Sequence, residues 1–279
     1  MNPETNISVA TLHAIYRDPW AIVPTWHASL HDALAALAKS QLQGALETVE
    51  PIVSVIEDGI AEIRVQGTMM RGVSPIIRSI VGIADIDEIT AAVSSAESRA
   101  DVKGVLLSIN SPGGTVAGTP EAADAVHRLA KRKPVVAFTD SVMASGAYWL
   151  GSQARGVVAS RSATVGSIGV MMAFPDSSKL HENVGLRIEV LTNDGAIFKG
   201  AGTPGTSLSA DQRANIEERL NAMFRDFRDG VTRSRRGVSA ESMRGQTFYG
   251  WTTRGTGLVD VIGDRSTAIS HLHALIGRN

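Results

Sequence analysis

Short β-branched runs, each ending near a small-residue turn, constrain this chain most. Residues 105–109, 135–138 and 157–159 read as strands, and helix-sized segments lie between them. The Gly113-Gly114 pair follows the first run, and Ser145-Gly146-Ala147 follows the second. Strand, tight turn and helix in alternation predict an α/β fold with helices packed on sheets. Residues 165–170 and 187–191 are read as further strands. Ahead of them, Asp58-Gly59 splits 52–56 from 60–65 as a hairpin with a favoured turn. A helix is expected over 120–131, with Thr119 as its N-cap and Pro120 at the first helical position. A shorter helix is expected over 145–153. Ser209 and Gln212 form a capping box, opening a long helix whose face carries Ile216, Leu220, Met223, Phe224, Phe227 and Val231.

Composition narrows the options. The 27 glycines against 5% aromatics favour tight turns over an aromatic-rich sandwich or propeller. The chain has no cysteine, which excludes disulfide scaffolds, thiolate zinc sites, iron–sulfur clusters and cysteine nucleophiles. A net charge of -1 gives no global pull toward nucleic acid. No run approaches the ~20 apolar residues of a membrane-spanning helix. The first residues lack a cationic start and an apolar core, so a cytoplasmic chain is expected. Residues 1–50 read as a helical arm, with Leu34, Leu37, Leu42 and Leu46 at helical spacing between His31 and Val49; residues 51–279 read as one domain.

Three glycine-marked segments could carry chemistry. Asn110-Ser111-Pro112-Gly113-Gly114 would turn with its backbone N–H groups exposed, or be a plain strand–helix turn. Ser145 lies among small residues at a helix start, which suits a nucleophile with room for a tetrahedral intermediate and equally suits a packed serine. Lys199 is the one charged residue of a glycine-rich stretch. Burial among uncharged groups would favour its neutral form and make it a base; a solvated loop lysine is the plainer alternative. Gly200, Gly202 and Gly205 match dinucleotide-binding spacing, but no strand leads directly into them. A Ser-His-Asp arrangement would need a histidine near Ser145, and His181 is the nearest candidate downstream. His271 and His273 lack a third ligand nearby, so no metal site is expected. Arg233, Arg235 and Arg236 fit a helix C-terminus.

Five ordered motifs join these segments: INSPGG at 109–114, MASGAYW at 143–149, TVGSIGV at 164–170, FKGAGTP at 198–204 and GLVDVIGD at 257–264. Together they resemble the signal peptide peptidase A family of serine–lysine peptidases over roughly residues 52–276. The resemblance implies a Clp/crotonase-like α/β fold of stacked ββα units and no cofactor. It puts Ser145 on the nucleophile, Lys199 on the general base and Ser167 on the hydroxyl that orients the lysine. Gly114 and Gly146 fall on the oxyanion-hole donors. It implies a homo-oligomeric ring with catalytic groups near subunit boundaries, and a peptide or protein substrate. Two departures stand out. The family's membrane anchor is missing, and its Ser-Gly-Gly is Ser145-Gly146-Ala147. With Pro19-Trp20-Ala21-Ile22 near its start, the chain looks more like phage head-maturation proteases of the family. Those would act on scaffold, portal or capsid protein in the host cytoplasm or procapsid. Alternatives are a signal-peptide or general peptide-degrading member, a crotonase-like acyl-thioester enzyme, and a non-catalytic shell component.

Overall fold

A computed structural model of the chain describes residues 18–39, 52–73, 78 and 80–278. The Asp58-Gly59 hairpin forms as expected: β2 (Val53–Ile56) and β3 (Ile60–Gln66) pair antiparallel. Asp58 and Gly59 both turn through positive φ, at 63° and 80°. From β3 the chain enters a repeating unit in which a long strand joins the large sheet, a short strand turns onto a second sheet, and a helix returns. The pattern appears as β6 (Gly104–Asn110), β7 (Gly113–Thr115) and α3 (Thr119–Arg132), and again as β8 (Val135–Thr139), β9 (Val142–Ala144) and α4 (Gly146–Gly151). A variant precedes them, in which β3 is the long strand, β4 (Thr68–Met70) and β5 (Ile83–Asp85) pair with each other on a small sheet and α2 (Ile86–Ser98) returns, and β10 (Gly156–Ala159) with β11 (Thr164–Gly166) follows. This is the stacked ββα architecture of the expected α/β class.

Three sheets result. The six-stranded one is ordered β13-β10-β8-β6-β3-β2, where β13 is Val261–Ile262; it is parallel except for the β2–β3 hairpin. Its central strands are apolar on both faces because both are covered. Ile60, Leu106, Val136 and Val158 face α7 (Arg265–Ile276) through Ala268 and Leu272. Ile63, Val105, Leu107, Val135 and Ala137 belong to the main core with Ile89 and Val93 of α2 and Val126 and Leu129 of α3. Truncating one such leucine to alanine costs ~2–5 kcal/mol. The smaller sheets are β1-β7-β4-β5, with β1 at Trp20–Ile22, and β12-β11-β9, with β12 at Thr247–Tyr249. Residues 20–22, from the segment read as an arm, thus form a strand on β7, and α1 (Pro24–Lys39) follows them.

Several local expectations change. Of the helix placed between His31 and Val49, α1 covers the first part and begins earlier, while Leu42 and Leu46 lie outside the described residues. Helix α3 is capped by Gly118 in the left-handed region rather than by Thr119, whose hydroxyl instead donates to the Thr115 carbonyl at 2.7 Å. The helix at Ser145 runs only from Gly146 to Gly151, and the strand expected over 165–170 is cut to Thr164–Gly166. Residues 187–191 are no strand. Ile188, Val190 and Leu191 alternate or cluster as β residues would, yet all are exposed and no second strand among the described residues pairs with them. The capping box at Ser209 and Gln212 does open α6 (Ala210–Ser234), which buries Ile216, Phe227 and Val231.

Candidate active site

The ends of β6, β9 and β11 converge on one place. Beyond β6, the Ser111 carbonyl accepts Ala144 N–H and Ser111 N–H donates to Val142 O, tying the Gly113-Gly114 turn to the strand that leads to Ser145. The Ser111 hydroxyl accepts the Gly113 N–H at 3.2 Å and so shapes the turn from within. Gly113 has φ 99°, open to glycine at little cost. Gly114 is excluded from carrying a side chain by packing instead: a Cβ there would lie 1.8 Å from the Met69 carbonyl oxygen.

Ser145 itself has φ 53° and ψ −123°. A non-glycine residue held there costs of order 1–3 kcal/mol, and the surroundings must over-determine it. They do: its N–H donates to Gly166 O at 2.7 Å, and its carbonyl accepts Trp149 N–H at 2.9 Å as the first turn of α4. Its hydroxyl is buried without a hydrogen-bond partner. A buried unpaired hydroxyl is costly, so its survival marks either a strain reservoir or a reactive group. A Cβ on Gly113 would lie 3.0 Å from Ser145 Cβ and 2.8 Å from Gly146 N. Ser145, the Gly113-Gly114 backbone and the Gly146 N–H therefore lie close together in one place. Ser167 closes the same end of β11, also at φ 53°, with its N–H on Gln246 O at 2.7 Å.

Behind Ser145 the short helix is locked. All of α4 is buried, Trp149 stacks on Phe227 at 4.5 Å, and a Cβ on Gly230 would meet Trp149 Nε1 at 2.4 Å. Buried Gln153 donates to Trp149 O and Gly230 O and accepts from Arg233 and the Ser234 hydroxyl. Tyr148 donates its hydroxyl to Leu258 O at 2.8 Å, and burial pushes that phenol up. Next to it, Arg235 forms a two-pronged pair with Asp260 at 2.7 and 2.8 Å. Burial works against the Arg235 charge; the hydrogen bonds and field of Asp260 and the neighbouring Tyr148 outweigh it and raise its pKa. Asp260 also accepts Val157 N–H. Arg235 and Asp260, read from sequence as a helix end and a motif residue, thus brace α4 from behind through Tyr148. Ser111 was noted in the sequence only as part of the Asn110–Gly114 segment, and Gln153 and Gln246 were not singled out, since nothing separates them from ordinary turn and helix residues.

Lys199 is placed differently. It lies in an irregular stretch, exposed and outside the packed core. The expectation of burial among uncharged neighbours is not met within a single chain, and no hydrogen bond joins it to Ser145 Oγ, which has none. His181 is likewise not paired with Ser145; its Nδ1 lies 2.9 Å from Ser177 O. Beside Ser167, an apolar cavity of about 390 Å³ is lined by residues 167–171 with Ile22, Leu220, Phe224 and Met243. No described helix is long and apolar enough to cross a membrane.

Comparison with known proteins agrees with the family resemblance. The model of peptidase family S49 matches residues 127–278. The chain belongs to peptidase family S49. It is 31% identical to the head-tail preconnector protein GP5 of Enterobacteria phage P21 over 80% of this chain and 44% of that one. It is 30% identical to capsid assembly protease C of Escherichia phage lambda, over 63% of this chain and 40% of the relative. The chain therefore spans less than half the length of these two S49-related proteins. Among solved structures, an enoyl-CoA hydratase/isomerase family member aligns with a TM-score of 0.44 at 16% identity, covering 81% of this chain and 75% of that one.

Proposed function

We propose that this S49 chain is a serine endopeptidase working through a Ser145–Lys199 dyad. The observation that carries the reading is Ser145: a buried hydroxyl without a partner, held at positive φ on a strand-to-helix turn and facing the Gly114 and Gly146 backbone. In this reading Ser145 Oγ attacks the peptide carbonyl while neutral Lys199 takes its proton. The Gly114 and Gly146 N–H groups hold the oxyanion, a contribution of ~10²–10³ in rate per donor. Lys199 returns the proton to the leaving amine, and water then hydrolyses the acyl-enzyme. Ser167 orients the lysine. A lysine needs no aspartate to select a tautomer, unlike an imidazole.

A lysine accepts a proton only when neutral, and its ordinary pKa is ~10.4, so the mechanism needs Lys199 desolvated. We place it against Ser145 only on assembly, supplied by an adjoining copy in a homo-oligomeric ring. Support comes from the exposed apolar side chains that flank it, among them Leu180, Val184, Leu186, Leu191, Ile197 and Phe198. An exposed patch of this kind marks an interaction surface. The substrate is a protein with a small side chain before the cleaved bond. The phage relatives support scaffold, portal or capsid protein as that substrate, processed in the procapsid or host cytoplasm. Cleavage of an unfolded protein by wild type, Ser145→Ala and Lys199→Ala tests the dyad. Each variant is expected to lose at least ~10³ in rate; undiminished cleavage by either overturns it.

A further inference from the structure

Strand β1 lies against the backbone that surrounds Ser145, with Ala21 next to Gly113, Gly114 and Gly146. Trp20 and Ala21 are fully buried and Ile22 nearly so, although the strand is only three residues long. Both of its edges are bonded. On one side it runs antiparallel to β7 with Ala21 opposite Gly114. Val116 N–H donates to Pro19 O and Val23 N–H to Pro112 O on either side of that pair. Antiparallel ladders alternate, so Ala21 and Gly114 are the next exchanging pair, and the Gly114 N–H faces the Ala21 carbonyl. On the other side, Trp20 N–H donates to Met171 O and Met171 N–H to Trp20 O, both at 2.9 Å.

The Ala21 carbonyl lies where a substrate carbonyl would have to lie. A Cβ on Gly113 would sit 2.1 Å from Ala21 O, 2.8 Å from Gly146 N and 3.0 Å from Ser145 Cβ, so these atoms surround one point. A Cβ on Gly146 would lie 3.1 Å from Ala21 O and 3.5 Å from Ala21 Cβ, so the alanine methyl rests against the glycine that follows the nucleophile. Beyond it, Trp20 meets the His27 ring edge-on at 5.1 Å and packs with Ile22, Leu30, Met70 and Ile83. The main-chain bonds are those any extended peptide could make, while the side-chain contacts are particular to this segment.

We propose that β1 is an internal, autoinhibitory occupant of the peptide cleft, and that the chain is latent until a substrate strand displaces residues 19–23. The proposal rests on the reading of Ser145 as the nucleophile. It explains why that hydroxyl is both buried and unbonded: the chain's own backbone covers it and uses the Gly114 donor.

Because the chain has no cysteine, Ser145→Cys creates a single thiol exactly where access is to be measured. In the full-length S145C protein, iodoacetamide is expected to alkylate that thiol at least ~100-fold more slowly than in the urea-unfolded chain. Adding Ala21→Phe, whose ring has no room against Gly146, should raise the native rate at least ~10-fold while the circular dichroism and melting transition are kept. Trp20→Gly, which removes the anchor without adding bulk, should raise the rate by a similar factor; it lowers the melting transition because a buried ring is lost, so a native circular dichroism spectrum is its check of folding, and it serves if the first variant does not fold. Native S145C reacting at the unfolded rate, or a folded unseated variant reacting no faster than its parent, overturns the proposal. Alkylation reads access and not catalysis. A wild type without Ser145-dependent cleavage would sink the proposed function and leave this result standing.

Discussion

Residues 143–151 and residues 172–209 belong to one chain and differ in almost every physical respect. In the first, every residue is buried, and Ser145 is bonded through its backbone to Gly166 and Trp149. In the second, only Gly205 is buried, and large apolar side chains such as Leu191 and Phe198 face outward. The first region can hold a strained serine because its neighbours are fixed by core packing and by the Arg235–Asp260 brace. The second has little to fix it within a single chain. Folding of one chain thus fixes the surroundings of Ser145 and leaves Lys199 exposed; on the proposed reading, a partner surface would complete the base half of the dyad.

The brace offers the largest effect. Asp260→Ala leaves Arg235 without its half-buried carboxylate and frees the Val157 N–H, so a loss of ~2–3 kcal/mol in folding stability is expected by urea titration. A change below ~1 kcal/mol would show that α4 is held by α6 packing alone. At the other extreme, Leu191→Asp with Phe198→Asp touches one side chain that buries almost nothing and one that is half-exposed and outside the core. Folding stability should move by no more than ~0.5 kcal/mol, while light scattering should show a smaller particle and peptide cleavage should fall with it. An unchanged particle size would remove this segment from the subunit boundary.

The sequence made the first region readable and the second misleading, for the same physical reason. Strands 105–109 and 135–138, the Asp58-Gly59 turn and the Ser209–Gln212 capping box all draw their signal from local chemistry or from burial inside one domain, and each was met within a residue or two. Residues 187–191 carry the β pattern too. A period-two pattern only says that one face is covered, and here Ile188 and Val190 rest against the irregular segment at Gly205 and Gly200 rather than against a paired strand. Thr119 illustrates a smaller failure: its hydroxyl had a carbonyl within reach at Thr115, and Gly118 took the cap by adopting a conformation open to glycine. Strand β1 was invisible to pattern reading because three residues have no measurable period; only the family resemblance drew notice to Pro19-Trp20-Ala21-Ile22. Of the candidate site, Ser145, Gly114, Gly146 and Ser167 fall together at the ends of adjacent strands. Lys199 does not join them in a single chain.

That separation makes the shared dyad the point to test. Ser145→Ala and Lys199→Ala proteins, each inactive alone, are unfolded together, refolded as a mixture and assayed for peptide cleavage. If Lys199 of one copy serves Ser145 of another, mixed assemblies contain sites with both groups intact, and a substantial fraction of wild-type activity returns. If native mass spectrometry shows mixed assemblies and cleavage stays absent, the base is not supplied across the boundary and the account is contradicted.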